Sequence, residues 1–452
     1  MNNVEELEKK PIGKLLIQYS VPTVLSLLVN SLYIVVDRIF IGHIPEVGAL
    51  ALTGIGLTMP IITVIWGVAS LISMGASSDI SIKLGEGNKK EAENTAGNAI
   101  TLSVIAGIAI TILYLVFQNH ILDWLGIRGQ TLFYAKEFIT IIMLGTVFNM
   151  LSIGLPLLVR SDGNPTFSAL ISITGCILNI ALDAIFLQVM HMGIRGAASA
   201  TAIAQFVTVA LGFFYFTRKK SFLRLTALNF KIYPTKIKNM LLIGFVPFSN
   251  QLAMSIAQIV SNYSLNLYGG ELAVGAMTVI TSIAAVFMMP IYGIAQGCQP
   301  IIGFNYAKTR YDRTLKTFKL ATIGSFAILT TGTLSTLAFP ELIVRLFTYD
   351  PVLVNIAVDG INKYMILLPL ASIPTLGSSF MMMTGRPKAA GLLNISRQSV
   401  ILGLTIFLLP RVIGLNGLWF AQPITDLLSS GITLFLFIKG YSHIIRKKPS
   451  FM

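Results

Sequence analysis

The chain has 452 residues, 54% of them hydrophobic and only 12% charged, with a formal net charge of +14 and a mean hydropathy of +0.77. A water-soluble protein carries about 25% charged residues, so this composition excludes a soluble globular domain and points to a polytopic α-helical membrane protein. The basic excess does not imply a nucleic-acid partner, because the Lys and Arg residues fall in short segments between apolar runs.

Hydropathy predicts about twelve spans, at roughly 14–42, 49–83, 95–118, 129–160, 165–190, 194–218, 238–267, 273–306, 315–339, 354–384, 386–412 and 416–440. Several exceed the ~20 residues one crossing needs, so tilt, kinks or extension beyond the bilayer are expected. Of the 33 Lys and Arg residues, 25 lie at the two ends of the chain and in the alternate connections that share their side. Six lie on the other side, and Arg38 and Arg397 fall within spans. The asymmetry places both termini in the cytoplasm. The opening "MNNVEELEKK" lacks a basic n-region and a small-residue cleavage site, so no removable leader is expected. Cys176 and Cys298 both sit in predicted spans and give no disulfide framework.

The sequence repeats itself. "YSVPTVLSLLVNSLYIVVDRIF" (19–40) aligns with "GFVPFSNQLAMSIAQIVSNYSL" (244–265), setting Pro22 on Pro247 and Asp37 on Asn262. "RSDGNP" (160–165) meets "MTGRP" (383–387) with Gly163 on Gly385, and Gly193 and Gly196 meet Gly414 and Gly417. An even number of spans per half makes the repeats parallel, an arrangement found in secondary transporters. The predicted organisation is an N-terminal half of six helices (1–220), a basic cytoplasmic linker (221–237) and a C-terminal half of six helices (238–452). The sequence holds neither a Gly-x-x-x-x-Gly-Lys-Ser/Thr loop nor a His-Glu-x-x-His motif. His43, His120, His191 and His443 are scattered. A transporter driven by an ion gradient is therefore expected, rather than an ATP-driven pump or an enzyme.

Four carboxylates lie well inside spans: Asp37, Asp79, Asp183 and Asp426. Each is expensive there, at roughly 2.5–3.5 kcal/mol on insertion scales. Lys83 follows Asp79 by one turn, which predicts a structural ion pair. Asp426 follows Pro423 in the last span and suits either a structural or gating hydrogen bond or a cargo contact. Asn30, Tyr33 and Asp37 make one polar stripe on the first helix; Asn179 and Asp183 share a face of the fifth; Thr201 and Gln205 share a face of the sixth. Asn, Thr and Gln could merely tie helices together, but two acids are a costly way to do so. Their repeat mates are neutral: Asn262 opposes Asp37, and Thr405 opposes Asp183. The cation site is accordingly expected in the N-terminal half alone. Two carboxylates buried together cannot both carry charge cheaply. The pair is expected to hold a proton, or Na⁺ with the Asn and Thr oxygens. Pro22 lies fifteen residues before Asp37, about 22 Å along the helix, and offers a conformational hinge.

"VPTVLSLLVNSLYIVVDRIFIG", "RSDGNPT", "NIALDAIF" and "GIAQGCQPIIGFNYAK" resemble the MATE (multidrug and toxic compound extrusion) family, in its DinF-like, MepA-like branch. The resemblance runs over essentially the whole chain. It implies an all-α membrane protein of about twelve helices in two pseudo-symmetric lobes forming a V. It also implies alternating access and export of lipophilic organic cations across the cell membrane in exchange for H⁺ or Na⁺, with no cofactor. The residues matching that branch's cation site are Asp37, Asn179, Asp183 and Thr201; Pro22 matches its bending proline and Tyr33 its neighbouring tyrosine. One departure is Pro156, where family members often carry a fourth-helix Asn; Asn149 lies about two turns away. A bulky cation needs an apolar, adaptable wall with a few polar groups, for which Met288, Gln258, Gln296 and Gln299 are candidates, beside "FMMM" at 380–383. A monomer is expected. The rival expectation is a flippase for lipid-linked saccharides on a related scaffold, which would need intramembrane bases for phosphate.

Overall fold

The computed structural model describes residues 10–217, 221 and 223–446, all helix or connecting turns with no strand among them. The predicted cytoplasmic basic residues Lys9, Arg218, Lys219, Lys220, Lys447 and Lys448 lie outside the described residues. The first half comprises α1 (Ile12–Gly42), α2 (Gly48–Gly85), α3 (Lys89–Trp124), α4 (Gly129–Leu144), α5 (Thr146–Ser161), α6 (Pro165–Asp183) and α7 (Gly193–Thr217). The second comprises α8 (Pro234–Gly269), α9 (Glu271–Ala307), α10 (Tyr311–Ala338), the short α11 (Pro340–Arg345), α12 (Pro351–Met365), α13 (Ser372–Met383), α14 (Pro387–Ile395), α15 (Leu402–Ile413) and α16 (Leu415–Arg446).

Eight helices are long and apolar enough to cross a membrane, and three bent pairs bring the count to eleven among the described residues. The 31-residue α1 stands beside them, in keeping with the twelve expected crossings. The fourth expected span is α4 with α5, bent by 56°, and the tenth runs from α12 to α13, bent by 52° across a 3₁₀ turn at Leu368–Ala371. The span made by α8 bends by 50° at Pro247, where a ring without an N–H removes one hydrogen bond from the helix. Its repeat mate Pro22 lies inside α1, which runs helical from Ile12 to Gly42.

The two repeated turns owe their sequence to backbone geometry. Gly163 and Gly385 take φ of +92° and +83°, open to glycine at little cost. Each is followed two residues later by a proline at the first position of a helix, where no N–H is needed. Asn164 caps α6 by accepting from the Phe167 N–H at 3.0 Å.

Packing divides the chain differently from the order of the repeats. One compact unit takes the chain up to Val35 with Ser264–Leu346 and Pro351–Met452; the other takes Val36–Tyr263 with Phe347–Asp350. Glycines explain the crossover. In the first unit, a Cβ on Gly293 or Gly297 of α9 would lie 2.5 Å from side-chain atoms of Val24 or Ser20 of α1. In the second, α8 meets α2 so closely that a Cβ on Gly75 would run into the Met240 carbonyl oxygen. Hydroxyl and amide donors continue that seam: Ser255 donates to the Pro60 carbonyl at 2.9 Å and Asn262 to the Gly56 carbonyl at 2.9 Å. The connection before α8 is pinned to α3, where Asn98 accepts from the Tyr233 N–H at 2.9 Å and Asn229 donates to Asn94 at 2.9 Å.

Candidate functional site

Asn179 and Asp183 occupy the last turns of α6, and both are 0% exposed. Their i, i+4 spacing aims both at α7, where Thr201 is 7% exposed. With the Asn179 amide turned to suit its neighbours, its nitrogen donates to Asp183 Oδ2 at 2.9 Å and its oxygen accepts from the Thr201 N–H at 3.2 Å. The Thr201 hydroxyl lies 3.3 Å from the same amide. Directly after Asp183 the helix widens into a π turn, Ala184–Val189, a deformation often found at functional sites.

Asp37, half-buried on α1 in the same packing unit, lies close enough to Asp183 for the two charges to interact. Neither acid forms a salt bridge among the described residues. Asp37 Oδ1 and Asp183 Oδ1 are both buried without a hydrogen-bond partner. An orphaned carboxylate oxygen away from water carries its full desolvation penalty. Two of them in one place make a site whose chemistry calls for a proton or a small cation. Thr201 adds a hydroxyl nearby, while Asn179 presents its N–H to Asp183 and its oxygen to the Thr201 N–H. No group of three or more His, Cys, Asp or Glu side chains that could hold a metal ion occurs among the described residues.

The neutral repeat mates make ordinary contacts. Asn262 bonds the Gly56 carbonyl, as above, and the Thr405 hydroxyl lies 3.1 Å from that of Thr425.

The remaining candidates are scattered. Gln205, one turn beyond Thr201, is half-buried and makes no hydrogen bond to this group. The side chains of Asn30 and Tyr33 lie outside the described residues. Gln258 accepts from Thr63 Oγ1 at 2.9 Å and so belongs to the α2–α8 seam. Met288 is half-buried and Gln296 exposed, both on α9. Of the 380–383 run, Phe380 and Met381 are core, with Phe380 packed against Phe318 and Phe437. Pro156 lies inside α5, its carbonyl taken by the Ser168 hydroxyl at 2.7 Å. Asn149 is buried with its Oδ1 unpartnered.

One expectation needs correcting, and one open choice gains a partner. Asp79 accepts from Thr95 Oγ1 at 2.7 Å, while Lys83 pairs instead with Glu86 at 3.1 Å and Glu91 at 3.6 Å. Lys83 stands at the helix end, within reach of both glutamates. Asp426, open between two roles in the sequence, is bound to Arg397, whose Nη2 lies 2.7 Å from Oδ1. Sequence reasoning did not find that pairing; the signal available was that Arg397 is one of only two basic residues inside spans.

A MatE family model matches residues 22–185 and 248–407, the two repeats found in the sequence. The chain is 26% identical over 431 residues to "Multidrug export protein MepA" of Staphylococcus haemolyticus (strain JCSC1435), covering 95% of this chain and 94% of that one. It is likewise 26% identical over 424 residues to the protein of that name from Staphylococcus aureus (strain NCTC 8325 / PS 47), covering 93% and 92%. Among solved structures, an inward-facing multidrug resistance MATE family transporter of the MOP superfamily aligns with a TM-score of 0.85 at 24% identity, covering 92% of this chain and 96% of that one. The MATE multidrug transporter DinF-BH aligns at 0.75 with 31% identity, covering 97% and 98%.

Proposed function

The chain belongs to the MATE family of multidrug efflux transporters, and from that premise we propose that it is a secondary antiporter in the cell membrane. It exports lipophilic organic cations in exchange for H⁺ or Na⁺, with both termini in the cytoplasm. The observation that carries this reading is the Asp37–Asp183 pair, two acids outside any salt bridge among the described residues, each with a buried, open oxygen. Either ion neutralises the pair when bound and leaves it charged when released. A proton satisfies one open oxygen directly and leaves the Asn179 N–H on Asp183; Na⁺ draws on both carboxylates and the Thr201 hydroxyl, with the Asn179 amide turned to offer its oxygen. A cationic cargo competes for the same negative charge, which is the elementary requirement of exchange. The ion is cargo of the cycle and not a resident cofactor. The names of the relatives support the drug-export part of this reading.

A phosphate-binding flippase would need intramembrane bases not already balanced by acids. Arg397 is paired with Asp426 and Arg38 interacts with the neighbouring Asp37, which weakens that alternative. The deciding experiment is ethidium efflux from proteoliposomes, first under an imposed pH gradient and then under a Na⁺ gradient. Acceleration by one of them supports antiport and identifies the ion. Efflux indifferent to both contradicts it.

A further inference from the structure

The second half contains a buried charged cluster that the exchange site does not use. Arg397 is 8% exposed and Asp426 1%, and both belong to the same compact unit. Arg397 Nε and Nη2 donate to Asp426 Oδ1 at 3.2 and 2.7 Å, and Gln422 Nε2 donates to the same oxygen at 3.1 Å. Asp426 Oδ2 is buried and receives nothing. An arginine–carboxylate pair ordinarily forms two parallel bonds, one to each oxygen. Here both guanidinium contacts end on one atom, which leaves Asp426 Oδ2 without a donor and Arg397 Nη1 without a hydrogen bond among the described residues. Tyr292 and Tyr364 interact electrostatically with this pair.

Every helix that carries the cluster is irregular at that level. Arg397 sits in a π turn, Ser396–Ile401. Asp426 comes three residues after Pro423, and Tyr292 two after Pro290. Tyr364 is the penultimate residue of α12, just before the 52° bend. Broken helices inside a membrane are tolerated where they line a cavity or are covered by protein, and in transporters they gather around binding sites.

We propose that Arg397 and Asp426 form a binding site for a carboxyl group carried by the cargo. The cargo carboxylate takes up one proton from water as it binds; its carbonyl oxygen then accepts from Arg397 Nη1 and its O–H donates to Asp426 Oδ2. Asp426 acts as the positioning residue, holding Arg397 through one oxygen while presenting the other. The pair is neutral overall, so it gives a permanent cation no advantage and instead favours drugs that combine a cationic ring with an acid. This assignment deepens the export reading above and rests on it for the identity of the cargo.

Rhodamine 110 and its methyl ester, rhodamine 123, make the test: the same cationic ring system, with and without a free carboxyl group. Binding to the purified full-length protein is read by fluorescence anisotropy, and export separately in proteoliposomes. The double variant Arg397→Gln/Asp426→Asn removes the pair without stranding a buried charge. It should lose about tenfold in affinity for rhodamine 110, corresponding to about 1.4 kcal/mol, and keep its affinity for rhodamine 123. Arg397→Lys, which retains the ion pair but not the planar fork, should move in the same direction and serves if the double variant does not fold. Equal loss for both dyes makes the pair merely structural and overturns the assignment, as does no loss for either, or a wild-type protein that binds neither. A wild-type protein that binds rhodamine 110 through Arg397 yet exports neither dye upholds the site and sinks the export reading instead.

Discussion

Asp183→Asn is the sharpest perturbation the structure offers. The side chain is fully buried and accepts from Asn179 at 2.9 Å, and the substitution keeps its shape while removing the exchangeable charge. A charge-assisted hydrogen bond of about 1.5–3 kcal/mol is lost, but the cost of holding a buried carboxylate disappears with it, so the fold should survive. Coupling should not. One pH unit supplies about 1.4 kcal/mol per proton, which drives roughly a tenfold concentration ratio of cargo per proton exchanged. A tenfold Na⁺ gradient supplies the same. In proteoliposomes with a tenfold gradient of the coupling ion, the wild type should accumulate ethidium against its gradient, and Asp183→Asn should bring the ratio to unity. Normal yield and thermal stability must accompany that loss. Gradient-driven accumulation by a well-folded Asp183→Asn protein would refute the reasoning.

Asp37→Asn should abolish coupled efflux in the same way. Its repeat mate should not matter as much: Asn262→Ala removes one hydrogen bond to the Gly56 carbonyl, worth about 0.6 kcal/mol in a membrane protein, and efflux should persist; equal losses would end the one-sided assignment. Gly244→Ala would drive a Cβ into the Leu71 carbonyl oxygen, so the backbones must separate; overpacking of about 1–3 kcal/mol should appear as a lower melting temperature, and an unchanged one would contradict the close α2–α8 approach. Asp162 accepts from the Tyr215 hydroxyl at 2.6 Å, the Ser221 hydroxyl at 3.1 Å and the Leu223 N–H at 2.7 Å. Asp162→Ala should therefore release that connection and let trypsin cut at the exposed Arg224 several-fold faster, with no change in rate counting against the clasp.

Much of this was legible in the sequence, because the bilayer imposes a length and a polarity that few other environments do. Asn179, Asp183 and Thr201 were readable as a group, since i, i+4 spacing fixes a shared face and three short polar stripes in one half have few other uses. Spacing says nothing about which neighbour that face meets. Gln258, a candidate for the cavity wall, takes its hydrogen bond from Thr63, 195 positions away, a partner that no spacing announces. Asp79 chose Thr95 over Lys83 because tertiary packing brought a hydroxyl to it, whereas the lysine had glutamates within reach. The Arg397–Asp426 pair joins residues 29 apart on different helices, through a π turn that leaves no mark in hydropathy. The bends at Gly145 and between α12 and α13 were likewise hidden inside runs that read as single spans.

The exchange claim is tested most directly by the affinity of ethidium for the purified protein as the coupling ion is titrated, in the wild type and in Asp37→Asn/Asp183→Asn. Competition at one carboxylate pair predicts that the wild-type affinity falls as H⁺ or Na⁺ rises and that the double variant ignores the ion. An ion dependence that survives removal of both acids would contradict the account.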